Sequence, residues 1–187
     1  MKKVFTLLLF VQLISAAEAQ TKKSGSPPVV RAPRATITRI SSPNKKWTLV
    51  FECPDYTKPR KLWIEHNGTH ERRLVEDYER SASIGWAPDS QLFFVDDELG
   101  SNETLAYVYD PVTLKETDLA QAVLAADRSA DEYLRAGHSY LEAKRWTTSH
   151  QLLVTLWGHF DGERRGFALH YRIDINGSVQ RLSKREY

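Results

Sequence analysis

One cysteine, Cys53, stands in a chain of 187 residues, so no internal disulfide can form and the fold has to rest on its core. Cys53 follows the apolar run Leu49-Val50-Phe51, which suggests burial rather than an exposed reactive thiol. Glycine is also sparse, nine residues, and none is arranged as a phosphate-cradling loop. The chain has no Gly-x-Ser-x-Gly elbow, and Cys53-Pro54-Asp55 fits no known nucleophile context. An excess of one charge is missing as well. Lys and Arg number 26 against 24 Asp and Glu, a formal net charge of +2, which speaks against nucleic acid or an anionic membrane surface as partner. No apolar run reaches the roughly 20 residues needed to cross a bilayer, so no stable membrane insertion is expected.

The one N-terminal apolar run, Val4–Ile14, is preceded by Met1-Lys2-Lys3 and followed by Ser15-Ala16-Ala17-Glu18-Ala19. A charged start, a short apolar core and a small-x-small end predict a secretory signal peptide over residues 1–19, cut near Ala19. The product is then expected to be periplasmic or secreted. Residues 20–35, rich in Pro, Ser, Lys and Arg, have little to bury and read as a flexible linker. Residues 36–187 remain for a single β-rich domain.

Within that domain the apolar runs are short and strand-like. Trp47–Phe51, Leu62–Ile64 and Arg72–Val75 form a first group, with His66-Asn67-Gly68 as a hairpin turn favouring positive φ. Leu92–Val95 pairs with Leu105–Tyr109. Leu152–Trp157, Phe167–Ile175 and Ser178–Leu182 form a third group, with a second Asn-Gly turn at Asn176-Gly177. One stretch, about 117–136, has helical spacing in Leu119, Ala122, Val123 and Ala126. Thr117 or Asp118 is suited to cap it, Asp127–Ser129 to divide it, and Gly137 to stop it. The acidic run Asp96-Asp97-Glu98 reads as a strand's exit to solvent.

Three segments share a pattern. Aligning Pro43 with Pro88 sets Trp47 against Leu92 and Trp63-Ile64 against Tyr107-Val108. Aligning Trp86 with Trp146 sets Leu92, Phe93 and Phe94 against Leu152, Leu153 and Val154. "SSPNKKWTLVFE" with "KLWIEHNG", and "WAPDSQLFFVDD" with "LAYVYD", resemble the WD40-like repeats of TolB-type β-propellers. In that repeat a Ser/Ala-Pro-Asp-Gly-Lys turn leads to an apolar strand and then a Leu-Trp strand. Here Asn44 and Lys45 replace Asp-Gly in the first turn, Ser90 replaces Gly in the second, and the third copy has lost the proline. The resemblance implies a mainly β fold, an antiparallel meander of about three propeller-blade-like hairpin units with a short helical insertion. Three units fall short of the 4–8 blades of a closed ring. The expectation is therefore an incomplete propeller or compact open sheet, or a homodimer whose two chains complete one ring.

No catalytic constellation and no cofactor site emerges. His66 and His70 flank a turn and lack a third metal ligand, and the acidic loop lacks EF-hand spacing, so no metal site is expected. His138, His150, His159 and His170 are placed too far apart in sequence to be related without a fold. The aromatic residues mostly fall on strands and read as core. Trp157 differs, standing before the Gly-bounded stretch Gly158-His159-Phe160-Asp161-Gly162. Trp157, His159, Phe160, Arg164 and Arg165 are the candidate recognition residues, since loops on a rigid scaffold often carry binding groups. The reading they support is an exported, non-enzymatic protein-binding or envelope-associated module whose partner is another protein of the cell envelope. The alternative is a carbohydrate-active or hydrolytic periplasmic enzyme.

Overall fold

The computed structural model describes residues 25–32, 36–55, 59–162 and 165–187. The signal peptide and its cleavage point lie outside the described residues. The chain opens with a three-residue strand, β1 (Val30–Ala32), then builds three antiparallel meanders in succession. Blade 1 consists of β2 (Ile37–Ser41), β3 (Trp47–Glu52), β4 (Arg60–His66) and β5 (Arg72–Tyr78). Blade 2 consists of β6 (Ser81–Trp86), β7 (Phe93–Glu98), β8 (Glu103–Tyr109) and the short β9 (Glu116–Asp118). Blade 3 consists of β10 (His138–Trp146), β11 (Gln151–His159), β12 (Gly166–Asp174) and β13 (Ser178–Glu186). Between blades 2 and 3 run α1 (Leu119–Ala126), a 3-10 turn (Arg128–Ala130) and α2 (Asp131–Leu134). Blade 1 is a sheet of its own, whereas blades 2 and 3 are joined by a two-residue parallel bridge at Ser139–Glu103 and Tyr140–Thr104.

Strand alternation stacks the blades face to face. On β7, Phe93 and Val95 point to blade 1, where they meet Leu49, Phe51, Leu62 and Ile64. Phe94 points the other way, to Leu141, Trp146, Leu152 and Val154 of blade 3. Blade 2 is thus covered on both faces, which is why the run Leu92–Val95 is apolar at successive positions rather than alternating. The helices close the wedge between blades 2 and 3: Leu119, Val123, Ala130 and Tyr133 enter the same cluster. Asp118 caps α1, its carboxylate accepting from the Ala120 and Gln121 amides at 2.7 and 3.1 Å. Asp127 ends α1 and starts the 3-10 turn, as the sequence suggests. Gly137 does not stop the helix. α2 ends at Leu134, and Gly137 leaves room for the Asp161 carboxylate, which a Cβ there would meet at 2.0 Å.

The repeated turns carry the same bonds. Ser42 and Ala87 donate to the carbonyls of Trp47 and Leu92, each at 2.8 Å. Lys45 and Ser90 stand at φ +62° and +67°. These are the positions where the repeat pattern has glycine, and a side chain there bears the left-handed strain. In the first hairpin loop the positive φ falls on His70, at +59°, rather than on Asn67-Gly68.

Several expectations are corrected. In the third copy Trp146 pairs with Leu152, while in the second Trp86 pairs with Phe93. The turn without proline is one residue shorter, so Phe93 matches Leu152 and not Leu153. A one-residue slip would put every side chain on the wrong face. Within residues 20–35, expected to be a flexible linker, Val30–Ala32 pairs with β6 and Ala32 is fully buried. Asp96 and Asp97 do not exit to solvent: both lie inside β7, each 3% exposed.

Candidate functional site

A stack of three blades has two uncovered faces, one at each end. The face of blade 1 is closed over by its own side chains. Arg72 donates to Glu52 at 2.7 Å and lies 4.5 Å over the Trp63 ring, and the Trp63 indole N–H donates to Glu52 at 2.9 Å. Arg39 pairs with Glu65 at 2.9 Å. The hydrogen bond from Arg72 is the chief reason the Glu52 carboxyl is held below the usual carboxylate range.

The face of blade 3 is different. Register brings His138 opposite His159 and Tyr140 opposite Trp157. The two imidazoles stack with centroids 4.0 Å apart, and the Tyr140 and Trp157 rings stack at 4.3 Å. The Trp157 indole N–H donates to Glu142 at 3.0 Å, and Lys144 also reaches Glu142. The Tyr140 hydroxyl donates to the Ser101 carbonyl at 2.7 Å, which ties the row to the β7–β8 turn. Trp157 remains 38% exposed despite these contacts. A groove of about 470 Å³ runs beside the row, lined by Arg31, Arg80, Glu98, Tyr140, Glu142 and Trp157 among others. Arg31 closes one side by pairing with Glu98 at 2.6 Å.

Trp157 and His159 therefore stand on the exposed row, as members of β11 rather than of a loop. Phe160 does not. It packs on Tyr133 at 5.8 Å and Phe167 at 5.4 Å, in the cluster under the helices. Arg165 is exposed and lies near Glu186, whose carboxyl it helps to keep ionised behind the larger effects of Lys184 and Tyr133. Arg164 lies outside the described residues. Tyr140 and Glu142 were not singled out from the sequence. Their signal is the alternation His138-Tyr140-Glu142 on a strand, read against Trp157 and His159 on its neighbour. Of the other histidines, His170 meets Thr155 at 3.1 Å and His66 packs edge-on against Trp47. Among the described residues no group of three His, Cys, Asp or Glu side chains is placed to hold a metal ion.

No protein-family model matches the chain, and no curated protein matches it. Among solved structures it is similar to the β-propeller domain of the trilobed protease from Pyrococcus furiosus, described as having an open velcro topology. The identity is 13%, the TM-score 0.53, and the match covers 79% of this chain and 43% of that one. The fold is an incomplete β-propeller. Weaker likenesses, which add nothing to that assignment, are to an acylaminoacyl peptidase of Pyrococcus horikoshii and to TolB from Acinetobacter baumannii. The first has 15% identity and TM-score 0.44, over 75% of this chain and 23% of that one; the second has 11% and 0.29, over 84% and 44%. The chain spans less than half the length of each. Among the described residues, no helix of this propeller is long and apolar enough to cross a membrane.

Proposed function

We propose that this chain is an exported, non-enzymatic protein-binding module of the cell envelope, and that it engages its partner through the aromatic row of blade 3. The observation that carries this reading is Trp157, exposed to 38% yet fixed in place by a stacked tyrosine and an indole–carboxylate hydrogen bond. Tryptophan and tyrosine dominate the energetics of protein interfaces, and a side chain already held in one rotamer loses little entropy on binding. The mixed groove beside the row, with Arg31, Arg80 and Glu98, suits the polar rim that surrounds such anchors. Export rests on the N-terminal sequence alone.

The test is in-cell cross-linking of the full chain, with fractionation of the cell envelope. The expected result is a discrete adduct in the periplasmic fraction, reduced at least tenfold by Trp157→Ala and retained by Trp63→Ala on the closed-over face. An adduct untouched by Trp157→Ala, or none at all, overturns the reading.

A further inference from the structure

Asp97 points from β7 into the seam between blades 1 and 2. Its Oδ1 is buried and has no hydrogen-bond partner among the described residues. The hydroxyls of Tyr78 and Tyr109, on the same seam, are committed elsewhere. Tyr109 contacts Glu76 at 2.7 Å and Glu116 at 2.9 Å, and Tyr78 reaches toward Glu76 at 3.5 Å. A phenol carries one hydrogen, so Tyr109 has none to spare. The titratable groups that act on Asp97 or feel its charge are Glu76 and Tyr78 from β5, Glu79 from the turn after it, Glu98 beside it on β7 and Tyr107 from β8, while Tyr109 from β8 and Glu116 from β9 join the same network through Glu76. Glu98 is already paired with Arg31 and takes a hydrogen bond from Ser81. Each residue whose charge acts directly on Asp97 is acidic: Glu76, Glu79 and Glu98. Burial first, and then these three, push the Asp97 carboxyl up to about 7.

The seam is built to respond. Among the described residues, blade 1 shares no backbone ladder with the other strands. It is held to blade 2 by apolar contact and a few polar ties: Trp86 to the Ile40 carbonyl at 3.2 Å, Asn44 N–H to Ser90 Oγ at 3.0 Å, and Arg73 to the Pro111 and Val112 carbonyls at 2.7 and 2.8 Å. Blades 2 and 3 are bridged strand to strand and further filled by helices.

We propose that Asp97 is a proton latch on this seam: protonated, it lets blade 1 lie against blade 2, and ionised, it loosens blade 1 while blades 2 and 3 stay together. The folded form binds the Asp97 proton more tightly than the unfolded form does. Closure is therefore complete at acidic pH and weakens as pH rises from about 4 to about 7.

Hydrogen exchange on the full chain, corrected for the intrinsic pH dependence of exchange, tests this at pH 5.5 and 8.5. Protection of β3 and β4 amides is expected to fall at least tenfold relative to β11 and β12 at the higher pH, and Asp97→Asn is expected to abolish that difference. Equal loosening of blades 1 and 3, no loosening, or a difference that persists in Asp97→Asn overturns the latch. Should Asp97→Asn fail to fold, Glu76→Gln is expected to move the midpoint of blade 1 loosening to lower pH, because without the neighbouring negative charge the Asp97 carboxyl ionises more readily. A midpoint that stays where it is in Glu76→Gln overturns the proposal.

Discussion

Blade 2 is held on each side by an indole. Trp86, at the end of β6, donates to the Ile40 carbonyl of blade 1 at 3.2 Å, and Trp146, at the end of β10, donates to the Gly85 carbonyl of blade 2 at 3.0 Å. The two locks are the same device repeated, because Ile40 and Gly85 occupy matching places just before the first turn of their blades. Blade 1 has Ser41 where the others have tryptophan, and its hydroxyl lies 3.4 Å from Thr48 on the uncovered face. The seams differ in the two aspartates that face them. Asp96 turns toward blade 3 and accepts from the Ala143 amide at 2.8 Å, where β10 has a register irregularity. Asp97 turns toward blade 1, and among the described residues nothing donates to its Oδ1. One seam thus has its buried acid satisfied, and the other stores an unsatisfied one.

The largest expected effect comes from breaking what the seams share. Trp86 and Trp146 are 2% and 1% exposed, so truncation of either leaves a cavity and removes the indole hydrogen bond that ties two blades. Trp146→Ala and Trp86→Ala should each cost about 3–5 kcal/mol. Urea unfolding of the full chain measures both. A cost below about 1 kcal/mol for either would mean that the indole is not a lock.

The next effect separates the seams. Asp97→Asn removes a carboxyl whose folded pKa of about 7 stands above the ordinary value of 3.8. The sign is that of a raised acid. Below about pH 4 both states hold the proton and nothing is lost. As pH rises to about 7 the unfolded state gains from ionising, and the native chain is destabilised. Asp97→Asn should therefore stabilise the protein by up to about 4 kcal/mol at pH 8, with the gain fading to near zero by pH 4. Unfolding midpoints across that range check it, and a gain independent of pH would sink the assignment.

How far the sequence reaches can be judged from the same residues. The kinship of Trp86 and Trp146 is legible, as are the apolar strands of each hairpin and the cap at Asp118. The first strands of blades 2 and 3 are not: "SASIGW" and "HSYLEAKRW" mix small and polar residues, and they are held as strands by β7 and β11 rather than by local propensity. The slip in the third copy escapes notice because the lost proline leaves no mark of how many residues remain in the turn. Asp96-Asp97 misleads in the opposite way, since acidic runs are ordinarily solvated and only the stacking of a third blade buries both. For the site, Trp157 and His159 are visible from the sequence. Phe160 next to them is core, because the strand ends at His159 and the chain turns inward over Tyr133.

The smallest effect tests the satisfied side. At pH 4, where ionisation contributes little, Asp96→Ala removes the acceptor of a buried amide and Asp97→Ala removes an oxygen that accepted nothing. Asp96→Ala should cost about 1–3 kcal/mol for the orphaned Ala143 N–H, and Asp97→Ala distinctly less. Burial still pushes the Asp96 carboxyl well up, against the opposing pull of that amide, so the comparison has to be made at low pH. Exchange of the Ala143 amide gives a second readout that a change in global stability does not imitate: it should quicken in Asp96→Ala beyond its neighbours Leu141 and Trp146, and stay unchanged relative to them in Asp97→Ala. If both variants lose the same stability and leave Ala143 equally protected, the two seams do not differ in the way the adjacent aspartates imply.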